Sequence, residues 1–300
     1  MVFEQVLILV VFVAIGYILS KLKVINSENS QILSSILVYV FLPCNVFKTY
    51  ASNFNREYIV NHYKVGLVSL LLIAVIAVLA FFIAKLFTKN SYDRKVYEYS
   101  MVVPNSGYMG YPLAESLLEG AGLINFMVFS IPVQLYIYTY GFSSLTKCKL
   151  SLKKLLNPLM ITILLGMIFG LLEIPIPDTV TGILEKSGSC MGPVSMLLAG
   201  VVISQFKLKD VFGNYKIYIL SAISLIILPL ALGGILRLFC DDSLVAVAVL
   251  FYSLPCGLNS VVFPKLVGED CRTGAGIALI STLISVLSIP LMFAIFGIGA

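Results

Sequence analysis

Ten apolar stretches, parted by short charged loops, fill almost the whole chain: 2–20, 32–51, 64–87, 96–118, 122–145, 155–173, 180–205, 215–239, 243–266 and 273–298. A bilayer core about 30 Å thick takes roughly 20 apolar residues per helix, so each stretch is predicted to be a transmembrane helix. Only 12% of the residues are charged and 59% are hydrophobic, whereas soluble domains carry about 25% charge. Such a chain cannot coat a water-exposed surface, and lipid must be its main solvent. No loop is long enough to hold a soluble domain. The first stretch carries Glu4 where a secretory signal has a basic segment, and no small-residue cleavage site follows it. It is read as a retained first helix.

Lys and Arg set the orientation, because cytoplasmic loops are enriched in them. With the N-terminus outside, the inward loops hold fifteen of the twenty Lys and Arg residues, with clusters at Lys85–Lys95 and Lys147–Lys154. The outward side keeps Lys48, Arg56, Lys64, Lys186 and Arg237. Both termini are therefore expected outside the cytoplasm, in a multi-pass protein of the plasma membrane.

Other function classes find little support. No basic cluster interleaved with aromatics favours nucleic acid. The six cysteines are scattered without a CxxC pair and read as small apolar packing residues. The lone histidine, His62, is expected in an outward loop before the third helix. No Ser-His-Asp set or carboxylate pair falls in the spans, so neither enzyme chemistry nor a metal or other cofactor is expected.

An internal repeat organises the spans. Gly16 and Gly166 lie 150 residues apart, as do Pro43 and Pro193; Pro104 and Pro255 lie 151 apart, Pro112 and Pro264 152. Several pairs in one order with a nearly constant offset divide the chain into halves at 1–147 and 153–300. Each half holds an odd number of spans, so the second enters the membrane inverted. That topology is typical of secondary transporters.

The fourth span reads VVPNSGYMGYPL (102–113) and the ninth SLPCGLNSVVFPKL (253–266). Each places two prolines around glycine and a side-chain amide. Proline removes a backbone donor and clashes with the preceding turn, so both spans are predicted to be broken. Unpaired backbone at membrane depth is tolerated only beside protein or a water-filled cavity. The half-helix restarting after each break points a partial positive charge at that cavity. Pro104, Asn105, Ser106 and Gly107 on one break, with Pro255, Asn259 and Ser260 on the other, form the expected anion site.

VPNSGYMGYPL resembles the fourth-helix signature of the auxin efflux carrier family, which includes bacterial organic-acid permeases and plant auxin exporters. SLPCGLNSVVFPKLVGED (253–270), STLISVLSIPLM (281–292) and LVYVFLPCNVFKTYA (37–51) resemble that family too, so the likeness spans essentially the whole chain. It implies an all-α fold of ten transmembrane helices in two inverted repeats, with the broken helices crossing at the midplane. The family fold is related to bile-acid sodium symporters. It also implies a scaffold subdomain, a transport subdomain moving against it, and a homodimer. The implied substrates are small carboxylates or weak acids, and Asn105 matches the asparagine that meets the substrate carboxylate. The long cytoplasmic loop of many plant exporters is absent; only residues Thr146–Lys154 link the halves.

Two further amides are candidates. Asn45, after Pro43, either lines the cavity or makes an interhelical hydrogen bond. Gln134 in the fifth helix must face protein or a cavity, since an unpaired amide in lipid is costly. Neither break contains Asp or Glu between its prolines; Glu115, Glu119, Glu269 and Asp270 follow them. An antiporter with a midplane aspartate pair is thus disfavoured, while a sodium site built from carbonyl, Asn or Ser oxygens stays open. The expectation is a secondary carrier of a small organic anion working by alternating access. The alternatives are a proton- or sodium-coupled symporter and a membrane sensor without transport.

Overall fold

A computed structural model describes residues 2–118, 121–147, 157–205 and 214–298. Glu119 and the expected boundary at 148–152 lie outside the described residues. The described regular elements are helical. In chain order they are α1 (Val2–Lys21), α2 (Ile32–Asn53), α3 (Arg56–Phe87), α4 (Ser91–Val102), α5 (Tyr111–Leu117) and α6 (Gly122–Thr146). There follow α7 (Pro158–Leu171), α8 (Asp178–Ser189), α9 (Met191–Ser204), α10 (Tyr215–Leu236), α11 (Asp242–Ser253), α12 (Asn259–Leu266) and α13 (Arg272–Phe296). Five of them (α2, α3, α6, α10 and α13) are long and apolar enough to cross a membrane.

The elements follow the apolar stretches, with α4 starting five residues early at Ser91 and two larger departures. The third runs 32 residues, from Arg56, because the Asn55 side chain accepts the Tyr58 N–H and caps a turn eight residues ahead of the expected start. His62 therefore lies inside a helix and not in a loop, its ring stacked on Tyr58 at 4.7 Å. The stretch 180–205 is interrupted at Cys190, between α8 and α9. Pro193 sits in the first turn of α9, where its missing N–H costs no intrahelical bond.

The outer surface is apolar. On α3, Leu70, Leu71, Val78 and Leu86 are exposed while Val65, Ile73, Ile76 and Ala80 are buried, so both faces of one helix are hydrophobic. A helix apolar all round suits a lipid-facing position. Hydrogen-bonding side chains turn inward: Ser69 donates to the Phe129 carbonyl and Tyr58 to Asn125 Oδ1 at 2.8 Å.

The helices sort into two groups by contact, joined where α1 also packs on α13. α1 packs along α9 and α2 along α7 and α8; in the other group α3 packs on α4 and α6, α10 on α11 and α13, and α11 on α6. The first group is held by small residues that let backbones approach. A Cβ on Gly16 would run into the Leu197 backbone, and one on Gly166 would meet Tyr50 Cβ at 2.7 Å and the Phe47 carbonyl oxygen at 3.2 Å. Gly16 and Gly166 are 150 apart, and so are Phe47 and Leu197. Close approach of this kind replaces the hydrophobic drive that lipid removes.

Gly16→Val and Gly200→Val, whose added atoms would strike the facing backbone, are expected to destabilise by about 1–3 kcal/mol each. Thermal unfolding in detergent measures this. Gly182→Ala, where a Cβ meets nothing within 4 Å, should leave the midpoint unchanged or slightly raised. A Gly16→Val protein as stable as the parent would overturn the close approach of α1 to α9.

Candidate functional site

The two breaks meet. α4 ends at Val102 and α11 at Ser253, and the segments that follow run antiparallel, with Pro104 opposite Cys256. The Asn105 N–H donates to the Pro255 carbonyl at 2.7 Å, and the Gly257 N–H donates to the Val103 carbonyl at 2.9 Å. Each proline supplies the carbonyl or the turn while a neighbour supplies the N–H, so the missing proline donors are never called upon. Gly257 lies where a Cβ would press on Val103 Cγ1 at 3.2 Å and the Val103 carbonyl oxygen at 3.3 Å. A third bond holds the crossing from outside: the Cys256 N–H donates to Ser281 Oγ on α13 at 3.0 Å.

Beyond the first break the chain re-enters a helix through a π-helical turn at Ser106–Gly110, which leads into α5. Turns of this kind concentrate at functional sites. The Asn105 carbonyl accepts from Met109 and Gly110 N–H, yet its side chain makes no capping bond to the turn. Asparagine is a favoured N-cap, and here that role is left unused. A Cβ on Gly107 would meet nothing within 4 Å, so the backbone there borders open space. On the second break, Ser260 Oγ donates to the Gly257 carbonyl at 2.9 Å, and half-buried Asn259 begins α12 beside Tyr99.

Pro104, Asn105, Ser106, Gly107, Pro255, Asn259 and Ser260 thus lie on two facing segments. Asn45 and Gln134 stand on the neighbouring helices α2 and α6. Asn45 is buried on α2 against α8, where a Cβ on Gly188 would touch its Cα, Cβ and Nδ2 at 3.3 Å, and its Oδ1 has no partner among the described residues. Gln134 is buried on α6 within reach of the Tyr111 hydroxyl, which itself pairs with Ser130 Oγ at 3.0 Å.

Three neighbours escaped the sequence reading. Ser195 on α9 donates to the Tyr108 carbonyl at 2.7 Å and so steadies the π turn. It stands 150 residues after Asn45, and the repeat spacing marks the position although the residue type differs. Ser281 has no such signal. Glu98, inside the stretch 96–118, is a buried carboxyl on α4 in contact with Tyr140. It lies ahead of Pro104 and so not between the prolines of the break. An aromatic wall stands beside it, with Phe142–Phe263 centroids 5.0 Å apart and Tyr99–Phe263 6.4 Å apart. Further out, Lys147 pairs with Glu269 at 2.5 Å, tying the end of α6 to the loop before α13. In that loop the hydrogen bonds from Arg272 hold the Asp270 carboxyl below its ordinary range.

A sequence profile describing membrane transport proteins matches residues 1–148 and 142–293. The chain belongs to this family, the auxin efflux carriers. An uncharacterized transporter of Methanothermobacter thermautotrophicus (strain Delta H) is 26% identical over 305 residues, covering 96% of each chain. The protein is therefore a multi-pass membrane transporter, and the paired breaks are the candidate site of this auxin efflux carrier family member.

Ser281→Ala leaves the buried Cys256 N–H without its acceptor, and an orphaned buried donor costs about 1–3 kcal/mol. The expected result is a lower unfolding midpoint, with Ser281→Thr retaining most of the stability. Equal midpoints for Ser281→Ala and the parent would show that the hydroxyl does not hold the crossing.

Proposed function

We propose that the protein carries a small organic anion, a carboxylate or an auxin-like weak acid, across the plasma membrane by alternating access. The observation that carries this reading is the direct pairing of the two breaks. It brings the restarting helical segments, from Ser106 and from Asn259, to one place. Their N-terminal ends favour negative charge without a buried lysine or arginine. Asn105 donates to the carboxylate, Asn259 and Ser106 add polar groups from the two segments, and Gly107 leaves room for the ligand.

Ten spans in two inverted halves, 1–147 and 153–300, fit the contacts. Exchanging the halves turns the α1–α9 contact into α7–α2, α3–α4 into α10–α11, and α3–α6 into α10–α13. In this arrangement α1, α2 and α7–α9 are the scaffold and the remaining helices the moving body. The body carries both breaks, so a rocking motion exposes the anion to each side in turn. With both termini outside, Lys147–Glu269 and the Phe142–Phe263–Tyr99 wall lie on the cytoplasmic side of the crossing and close it there. The scaffold presents an apolar outer face suited to a homodimer in lipid. For a monoanion leaving the cell, an inside-negative potential contributes about 2.3 kcal/mol per 100 mV.

Flux of labelled malate, malonate and indole acetate into and out of proteoliposomes tests the reading, and at least one is expected to move. Asn105→Ala removes a hydrogen bond to a charged group, worth about 1.5–3 kcal/mol. Its affinity for a transported acid should fall roughly ten- to a hundredfold, while Asn45→Ala stays within about threefold, roughly 0.6 kcal/mol. Unchanged affinity in Asn105→Ala would refute the placement of the site. Binding of an acid without any flux would favour a sensor.

A further inference from the structure

Beside the crossing lies a small, partly open cavity of about 10 Å³. Ser100 and Pro104 line it from α4 and its break, Ser221 and Ser224 from α10, Tyr252 from α11, and Ser281 from α13. Its size suits one water or one small ion. Two features of the lining discriminate between them.

The first is unmet hydrogen bonding. Ser221 Oγ, Ser224 Oγ and the Tyr252 hydroxyl are buried and have no partner among the described residues. Ser221 is 1% exposed and Tyr252 3%. Burying a hydroxyl without a partner costs free energy, so three such groups around one void point to an occupant. Ser100 has given its proton to the Val96 carbonyl at 2.7 Å, and Ser281 has given its own to the Ala278 carbonyl at 3.2 Å. Their oxygens offer only lone pairs to the cavity. Ser224 is aimed by a π-helical turn at Ile223–Ile227, an interruption in an otherwise continuous helix.

The second is the sign of the field. α4 and α11 both end here, and a helix C-terminus carries a partial negative charge. The last turns of both helices, with Ser100 and Met101 on α4 and Tyr252 on α11, line the cavity. No Asp, Glu or His lines the cavity among the described residues, which disfavours a divalent ion that would be held through carboxylates and leaves no carboxyl to carry a proton.

We propose that this cavity binds a single dehydrated sodium ion, held by the oxygens of Ser100, Ser221, Ser224, Tyr252 and Ser281. Both the ion and the substrate anion then bear on the Val103–Asn105 and Pro255–Gly257 bridge, whose Pro104 and Cys256 line the cavity. Binding of one firms the bridge for the other, and the ion gradient is coupled to the carrier. Coupling rests on the transport reading above; ion binding does not.

Thermal unfolding of the purified full-length protein without substrate separates the two, in NaCl, KCl and choline chloride at equal ionic strength. A ligand that binds only the native state raises the midpoint with its concentration. A saturable rise with sodium and none with potassium or choline is expected. Tyr252→Phe and Ser221→Ala each remove an unpartnered hydroxyl, so both should be as stable as the parent in choline yet need at least tenfold more sodium for the same rise. Equal midpoints in the three salts would mean a buried water only and would overturn the proposal, as would an undiminished sodium response in Tyr252→Phe. Sodium binding without flux of any acid leaves the ion site standing and counts against the transport reading alone.

Discussion

Two hydrogen bonds between broken helices organise this molecule. Asn105 N–H to the Pro255 carbonyl and Gly257 N–H to the Val103 carbonyl satisfy backbone groups that prolines have released from their own helices. At membrane depth no water stands ready to do so, and an orphaned peptide group costs several kcal/mol. Neither break is tolerable alone. Together each acts as the polar solvent of the other, and the proline that ends one helix becomes a reason for the second to pass beside it.

Four helical ends follow from that contact. α4 and α11 stop at the bridge, and the segments leading into α5 and α12 start from it. The partial charges of the ends are opposite in sign, and they gather at one place with little formal charge nearby. The bridge needs a close approach. Gly257 allows it from within, and Ser281 braces it from α13. In the other group of helices, Gly16, Gly166, Gly170 and Gly200 pack against facing backbone, which joins α1, α2, α7 and α9 tightly.

Much of this was legible in the residues. The apolar stretches mark the helices because a bilayer demands length and hydrophobicity, and α1, α2, α6, α10 and α13 lie where that rule puts them. Pro104 and Pro255 mark the breaks because proline cannot donate. The start of α3 was misread because Arg56, Glu57 and His62 look like a loop to hydropathy, while the Asn55 cap extends the helix through them. The site was legible only along the chain. Asn105, Ser106 and Gly107 announce themselves by adjacency to Pro104, whereas Ser195 and Ser281 act through space on carbonyls and N–H groups that no local pattern reveals. Asn45 and Gln134 were legible as buried amides, and the fold sets them beside α8 and Tyr111.

By itself, then, the sequence determined the solvent, the spans, the charge bias of the loops and the two points where helices must fail. Those properties are sums over neighbouring residues, and hydropathy, proline geometry and loop charge read them directly. The tertiary structure alone decided that the two failures repair each other, and that Ser100, Ser221, Ser224, Tyr252 and Ser281 converge beside them. Pairing between backbones about 150 residues apart depends on which faces come together. Hydrogen-bond satisfaction in lipid selects those faces only when the whole chain is folded.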